Sequence, residues 1–228
     1  MTTVVKHEIE TLAELIELAE RLGGIPPSRV LLRPTPGEAT EADLLEYVNS
    51  TGRLCELVDS VLVEKAMGQG ESGIAGWITM LLSTYILPRS LGYLVTEAGM
   101  VRLRTGLVRA PDISFIRWDR VPNGQIDTAR IRTLMPDLAI EVISANNTKA
   151  EIDRKIREYF LAGIEAVWVV DPFRREVVVY TSPEDFVTLA ETETLDGGTV
   201  FPGLDLPLAK IFERVPHTKR RRRKRSDP

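Results

Sequence analysis

Between Pro136 and Asp171 the chain reads PDLAIEVISANNTKAEIDRKIREYFLAGIEAVWVVD. The stretch opens on an apolar run with one glutamate embedded in it, the pattern of a buried strand. It continues into Ile152, Ile156, Tyr159 and Phe160, spaced i, i+4, i+7 and i+8 as on one face of a helix. It closes on a second buried strand ending at Asp171. Along the first strand, alternation puts Asp137, Ala139, Glu141 and Ile143 on one side and Leu138, Ile140 and Val142 on the other.

Glu141 therefore carries a cost. A carboxylate inside an apolar run is unfavourable unless a cation, a metal ion or hydrogen bonds meet it. The run Pro111 to Arg117 has the same character, with Asp112, Ser114 and Ile116 facing one way and Ile113 and Phe115 the other. If these strands are neighbours, Asp112 and Glu141 meet at one cation. Asp137 does not reach that point, because four residues of strand separate it from Glu141 by roughly 13 Å. Its expected task is local hydrogen bonding at the strand entrance.

On the helix, at about 100° per residue, Lys155 lies roughly 40° from Tyr159, at the edge of the apolar stripe. Arg154, Arg157 and Glu158 point more outward. Lys155 has two readings: a snorkelling lysine whose stem covers apolar surface, or an ammonium aimed at a metal-bound water or a scissile phosphate.

Composition removes other chemistries. Cys55 is the single cysteine, and the two histidines, His7 and His217, fall outside the part that reads as a folded core. A Ser-His-Asp triad, a Cys-His pair and a His/Cys zinc site all lack their parts. Any catalysis must rest on carboxylates, lysine and hydroxyls, with or without a hard cation held by oxygen. No apolar run approaches the roughly 20 residues of a membrane span, and the N-terminus lacks a signal-peptide core, so the expectation is a soluble, cytoplasmic protein. The net charge of −4 is uneven: Lys219 to Arg225 (KRRRRKR) holds 7 of the 29 basic residues, leaving 22 basic against 33 acidic elsewhere. The tail has two readings, a nucleic-acid-binding segment or a solvated, disordered one with no specific partner, and the body suggests no nucleic acid.

In chain order, residues 7–22 carry a helical pattern stopped by Gly23-Gly24, packing on the main domain or on a second subunit. Val30 to Leu32 reads as a short strand between prolines, and Thr40 with Asp43 as a capping box opening a helix to about Asn49. Leu54–Val58 and Val61–Glu64 form a hairpin about Asp59-Ser60. A glycine turn at 68–70 precedes an apolar helix from about Ser72 to Leu87, closed by Pro88. Strands follow at 92–96, 100–104 and 111–117, then a polar loop from Trp118 to Leu134. Further strands fall at 176–181 and 186–190, and a short helix at 206–212.

The runs RLCELVDSVLVEKAMGQGES, VRAPDISFIRWDR, PDLAIEVIS, RKIREYFLAGIEAVWVVDP and TLDGGTVFPGLDLPL resemble the Uma-two family of endonucleases, a branch of the PD-(D/E)XK restriction-endonuclease-like superfamily. The resemblance spans about residues 34–212. It implies an α/β fold with a central mixed sheet flanked by helices. The nuclease domain (37–212) is then flanked by two segments read from the sequence pattern alone, an N-terminal helical extension (1–36) and a basic, disordered tail (213–228). The resemblance also implies metal ligands at Asp112 and Glu141, with Glu71 as an accessory ligand and Glu56 in a weaker or structural role. The superfamily often places its lysine two residues after the second acid, where this chain has Ile143. In this branch the next helix supplies it, at Lys155. A family glycine after Asp59 is Ser60 here.

The function so implied is Mg²⁺- or Mn²⁺-dependent hydrolysis of nucleic acid, in particular DNA, by Asp112, Glu141 and Lys155, with a strand carbonyl near Val142 as a further ligand. A homodimer would form through the N-terminal helix. Two rivals stand beside it. One is an inactive nuclease-like module that binds nucleic acid or a protein; the other treats the carboxylates as plain ion-pair partners, Lys155 bridging to Glu141.

Overall fold

In a computed structural model of the chain, residues 9–66 and 68–216 are described. His7, His217 and the basic run Lys219–Arg225 lie outside them.

The first helix, α1 (Leu12–Arg21), starts later than the apolar pattern suggests, because Thr11 caps it: its side chain accepts from the Glu14 N–H while Glu14 accepts from Thr11. Leu18, Ala19, Leu22 and Ile25 then bury against Val58, Val61, Val63 and Leu107, so the extension docks on the body of the same chain. The expected strand at Val30–Leu32 shrinks to one bridge, Val30 to Val63. Thr40 and Asp43 form the capping box of α2 (Glu41–Thr51). In the hairpin β1 (Cys55–Val58) and β2 (Val61–Glu64), Asp59 and Ser60 both take positive φ, 50° and 58°. That is the backbone of a two-residue turn matched to strand twist; Ser60 adopts it without being glycine.

Helix α3 (Gln69–Arg89) begins earlier and runs past Pro88, which sits in its last turn. What ends it is Ser90 in the left-handed region (φ 50°), with the Leu91 N–H returning to Ile86. Next come β3 (Gly92–Thr96), β4 (Met100–Arg104), β5 (Leu107–Arg109) and β6 (Ile113–Arg117). The expected loop at 118–134 contains two short 3₁₀ turns and a two-residue strand, β7 (Ile131–Arg132). After β8 (Leu138–Val142), α4 (Lys149–Leu161) and β9 (Ala166–Asp171) come β10 (Glu176–Tyr180) and β11 (Phe186–Ala190). The small hairpin β12 (Thr194–Asp196) and β13 (Asp205–Pro207) leads into α5 (Leu208–Phe212). The strands missed by sequence, β5, β7, β12 and β13, have two or three residues, too few for alternation to register.

A six-stranded mixed sheet in the order β11-β10-β9-β8-β6-β3 forms the centre, with β8 and β9 parallel through the α4 crossover. A five-stranded sheet, β2-β1-β5-β4-β7, lies beside it. Alternation decides the layers. On one face of the central sheet Ile113, Phe115, Leu138, Ile140 and Val142 bury against Ile78, Leu82 and Ile86 of α3. On the other, Ala139, Val167 and Val169 bury against Ile152, Ile156 and Tyr159 of α4. Glu141 shares the α4 face, so the same parity that builds the core delivers a carboxylate to the helix carrying Lys155.

Candidate active site

Strands β6 and β8 pair antiparallel, Ile113 opposite Ile140 and Ser114 opposite Ala139. One step further along this register, Asp112 stands opposite Glu141, and both are buried. Asp112 Oδ2 accepts the Val142 N–H at 2.6 Å, so the group by which Val142 meets Asp112 is its N–H. Asp112 Oδ1 lies 2.6 Å from Lys65 Nζ but outside hydrogen-bond geometry, and it has no hydrogen-bond donor. That ammonium instead donates to the Ala110 carbonyl at 2.5 Å.

Lys155 Nζ lies 3.2 and 3.1 Å from the two Glu141 oxygens and 3.1 Å from Glu56 Oε1. Tyr159, one helical turn on, donates its hydroxyl to Glu141 Oε1 at 2.5 Å. Glu56 also accepts from Arg109 at 2.8 Å and from the Ala110 N–H at 3.1 Å. Arg109 continues to Glu158. At the other end of α4, Arg29 forms a two-pronged pair with Glu151 at 3.0 and 2.7 Å.

Burial and charge set the protonation of this layer. Burial pushes the Glu141 carboxyl above its ordinary value, and the Asp112 charge adds to that, although Lys155 pulls the other way. Burial likewise penalises charge on Lys155, but Glu141 and Glu56 outweigh it and hold the ammonium charged. Burial would raise Glu56 too; Lys155, Arg109 and Lys65 instead keep it well below the usual carboxylate range. The Tyr159 hydroxyl is pushed far above its ordinary value, first by burial and then by the neighbouring Glu141, so it donates.

The structure thus brings together Asp112, Glu141 and Lys155, with Glu56 in the middle of the network. Glu71 is placed elsewhere: its carboxylate accepts the Gly68 N–H at 3.1 Å at the start of α3, and it is not among the residues walling the cleft around Lys65, Asp112, Glu141 and Lys155. Asp137 accepts from the Arg117 N–H and from Arg120, at the strand entrance. Among the described residues, no group of three His, Cys, Asp or Glu side chains is arranged to hold a metal ion. Arg154 and Glu158, expected to point outward, bond instead to Asp59 and Arg109 of the five-stranded sheet. Helix α4 is held from both sides, so its second face is polar but not open.

Sequence reasoning missed Lys65, Arg29, Arg109 and the chemical end of Tyr159. Lys65 directly follows β2 and had no periodicity to mark it. Tyr159 was visible only as a member of the apolar stripe.

Residues 41–209 match the family model Uma2, described as "Putative restriction endonuclease". The chain belongs to the Uma2 family. Membership places it among nucleases. A crystal structure described as "a putative nuclease belonging to DUF820 from Anabaena variabilis ATCC 29413" is 22% identical, with a TM-score of 0.64 over 75% of this chain and 97% of that one. At that identity the likeness is one of fold. No curated protein matches the chain. Among the described residues of this Uma2 member, no helix is long and apolar enough to cross a membrane.

Proposed function

We propose that the chain is a Mg²⁺-dependent endonuclease, Mn²⁺ serving as well, that hydrolyses phosphodiester bonds of DNA, with Asp112 and Glu141 as metal ligands and Lys155 as the charged catalytic donor. One observation carries the reading: two buried carboxylates face each other across the β6–β8 ladder, and Asp112 Oδ1 has no hydrogen-bond donor. The donor set suits the ion. Mg²⁺ takes hard oxygen ligands, often one or two carboxylates, and fills the rest of its shell with waters and substrate phosphate. A third protein carboxylate is therefore not required, and Glu71, engaged in capping α3, is left out of the set.

When bound, the metal would lower the pKa of a coordinated water and offset charge on the phosphate. The chain's own residues do the rest. Lys155, held charged between Glu141 and Glu56, is a donor and an electrostatic stabiliser and not a base. It steadies the negative charge that grows on the phosphate oxygens. Tyr159 fixes the orientation of Glu141 through its hydroxyl, and the Val142 N–H fixes that of Asp112. Lys65 neutralises Asp112 when no metal is present.

The test supplies linear, supercoiled and single-stranded DNA with Mg²⁺ or Mn²⁺. Cleavage that persists undiminished in Asp112→Ala, Glu141→Ala and Lys155→Ala would sink the reading. The contact of Lys155 with two carboxylates at once also favours a second reading, in which the layer is a structural ion-pair network. Titration calorimetry separates the two, since a salt-bridge network takes up no stoichiometric Mg²⁺.

A further inference from the structure

Strand β7 runs parallel to β4, Val101 opposite Arg132. This short pairing carries the Arg132 side chain from the edge of the five-stranded sheet towards the central one. There Nη2 donates to the Gly99 carbonyl at 3.1 Å and to Ser114 Oγ at 3.3 Å. The residue is only 3% exposed, yet Nε and Nη1 have no hydrogen-bond partner. The Tyr93 hydroxyl beside it is close enough to favour the charged form but lacks hydrogen-bond geometry, and it too is buried without a partner.

A guanidinium cannot shed its proton, and a buried cation without an anion is costly. The chain answers that cost at its other buried arginines: Arg29 faces Glu151, and Arg109 faces Glu56 and Glu158. Among the described residues, no carboxylate lies within ion-pair distance of Arg132. Asp127 attracts it from further away and spends one oxygen on the Ala129 N–H. Burial pushes the Arg132 guanidinium below its ordinary value.

Arg132 and Tyr93 both line a cavity of about 610 Å³ whose other walls include the apolar side chains of Leu54, Leu94, Met100 and Ile126 and the charged residues Glu97, Asp127 and Arg130. That volume is in the range of small-ligand sites. Ala110, two residues before Asp112, also lines it. Ser114, which holds Nη2, lies two residues beyond Asp112 on the same face of β6, roughly 7 Å along the strand.

We propose that this cavity is a phosphate-binding subsite, in which Arg132 Nε and Nη1 form a fork on the oxyanion and the Tyr93 hydroxyl adds a third donor. The unpaired fork matches a tetrahedral oxyanion in shape and charge, and the apolar walls suit the sugar and base attached to it. The occupant is a phosphate of the nucleic-acid strand, adjacent to the one presented to Asp112 and Glu141. That identity rests on the nuclease reading, whereas the anion site itself does not.

The test is calorimetry on the full chain in EDTA, with a short 5′-phosphorylated single-stranded DNA as one titrant and inorganic phosphate as the other. The oligonucleotide should bind, Arg132→Gln should weaken it about tenfold or more, and Arg132→Lys, which keeps the charge but loses the fork, should fall between. Tyr93→Phe removes only an unpartnered hydroxyl, so it should fold as well as the parent and still weaken binding severalfold; it carries the test should Arg132→Gln fail to fold. Oligonucleotide affinity equal to the parent's in Tyr93→Phe and in every folded Arg132 variant overturns the site. Saturable binding of inorganic phosphate alone, lost with Arg132, overturns the strand as occupant. Asp112→Asn removes a proposed metal ligand and leaves the fork in place, so it should still bind the oligonucleotide in EDTA and lose cleavage in Mg²⁺. If the parent does not cleave DNA with Mg²⁺ or Mn²⁺, the nuclease reading fails while the anion site stands; if Asp112→Asn still cleaves, Asp112 is no metal ligand.

Discussion

Lys65 Nζ sits 2.6 Å from Asp112 Oδ1, both side chains nearly buried at 4% and 3% exposure. The ammonium occupies the space next to the oxygen proposed to bind a metal, so the two cations compete. Lys65→Ala should lower the stability of the metal-free protein by about 3 kcal/mol, the cost of stranding a buried charge. The same variant should bind Mg²⁺ more tightly than the parent, and Mg²⁺ should restore part of its lost melting temperature. Denaturant titration with and without Mg²⁺ checks both, and unchanged Mg²⁺ affinity in Lys65→Ala would count against shared use of Asp112.

Metal binding should depend on pH through Glu141. Its folded-state value is raised, by burial and then by Asp112, so the folded protein keeps a proton there above the ordinary 4.5. A metal must displace that proton. Mg²⁺ affinity should therefore rise with pH through the raised value and level off above it, with proton release visible as a dependence of the calorimetric heat on buffer. The sign also holds for stability: a raised acid binds more protons folded than unfolded, so Glu141's contribution is lost as pH rises through that value. Glu141→Gln should abolish the binding and the buffer dependence together.

The parts legible in the sequence were those that local pattern dictates. The apolar runs of β8 and β9 and the β1–β2 hairpin are long enough to read, and Asp112 and Glu141 stand out because a carboxylate in an apolar run needs a reason. Lys65, Arg29 and Arg109 do not stand out, because their meaning lies in contacts remote in sequence: Arg29 and Glu151 are 122 residues apart. The partners of Arg154 and Glu158 escape the sequence for a related cause. Helical periodicity separates an apolar face from a polar one, and it says nothing of whether a second sheet covers the polar face. Arg132 lies in a polar stretch that reads as loop, since two residues of strand make no pattern.

Acid should unfold the protein partly through Glu56. Burial opposes its ionisation, but Lys155, Arg109 and Lys65 hold it below the ordinary 4.5, so between the folded and ordinary values the unfolded chain binds more protons. Its stabilisation is present above about 4.5 and is lost as pH falls through the folded value. Glu56→Gln should be less stable than the parent at neutral pH by about 3 kcal/mol, and its stability should fall less steeply below pH 4.5. Chemical denaturation at several pH values reads both slopes; parallel slopes would remove Glu56 from the acid response.

The Arg29–Glu151 pair ties the N-terminal segment to α4 and is helped by Thr148, whose hydroxyl donates to the Gly23 carbonyl at 2.5 Å. Glu151 is held below its usual range despite burial, first by the Arg29 hydrogen bonds. Arg29→Ala leaves that carboxylate buried and uncompensated, at a cost of about 3 to 5 kcal/mol. The double variant Arg29→Met with Glu151→Gln removes both charges and should recover most of the loss. Hydrogen exchange across Leu12–Arg21 locates the effect: opening should quicken there in Arg29→Ala and return towards the parent rate in the double variant. Equal exchange in all three proteins would show that the apolar contacts of Leu18, Ala19, Leu22 and Ile25 hold the segment without the ion pair.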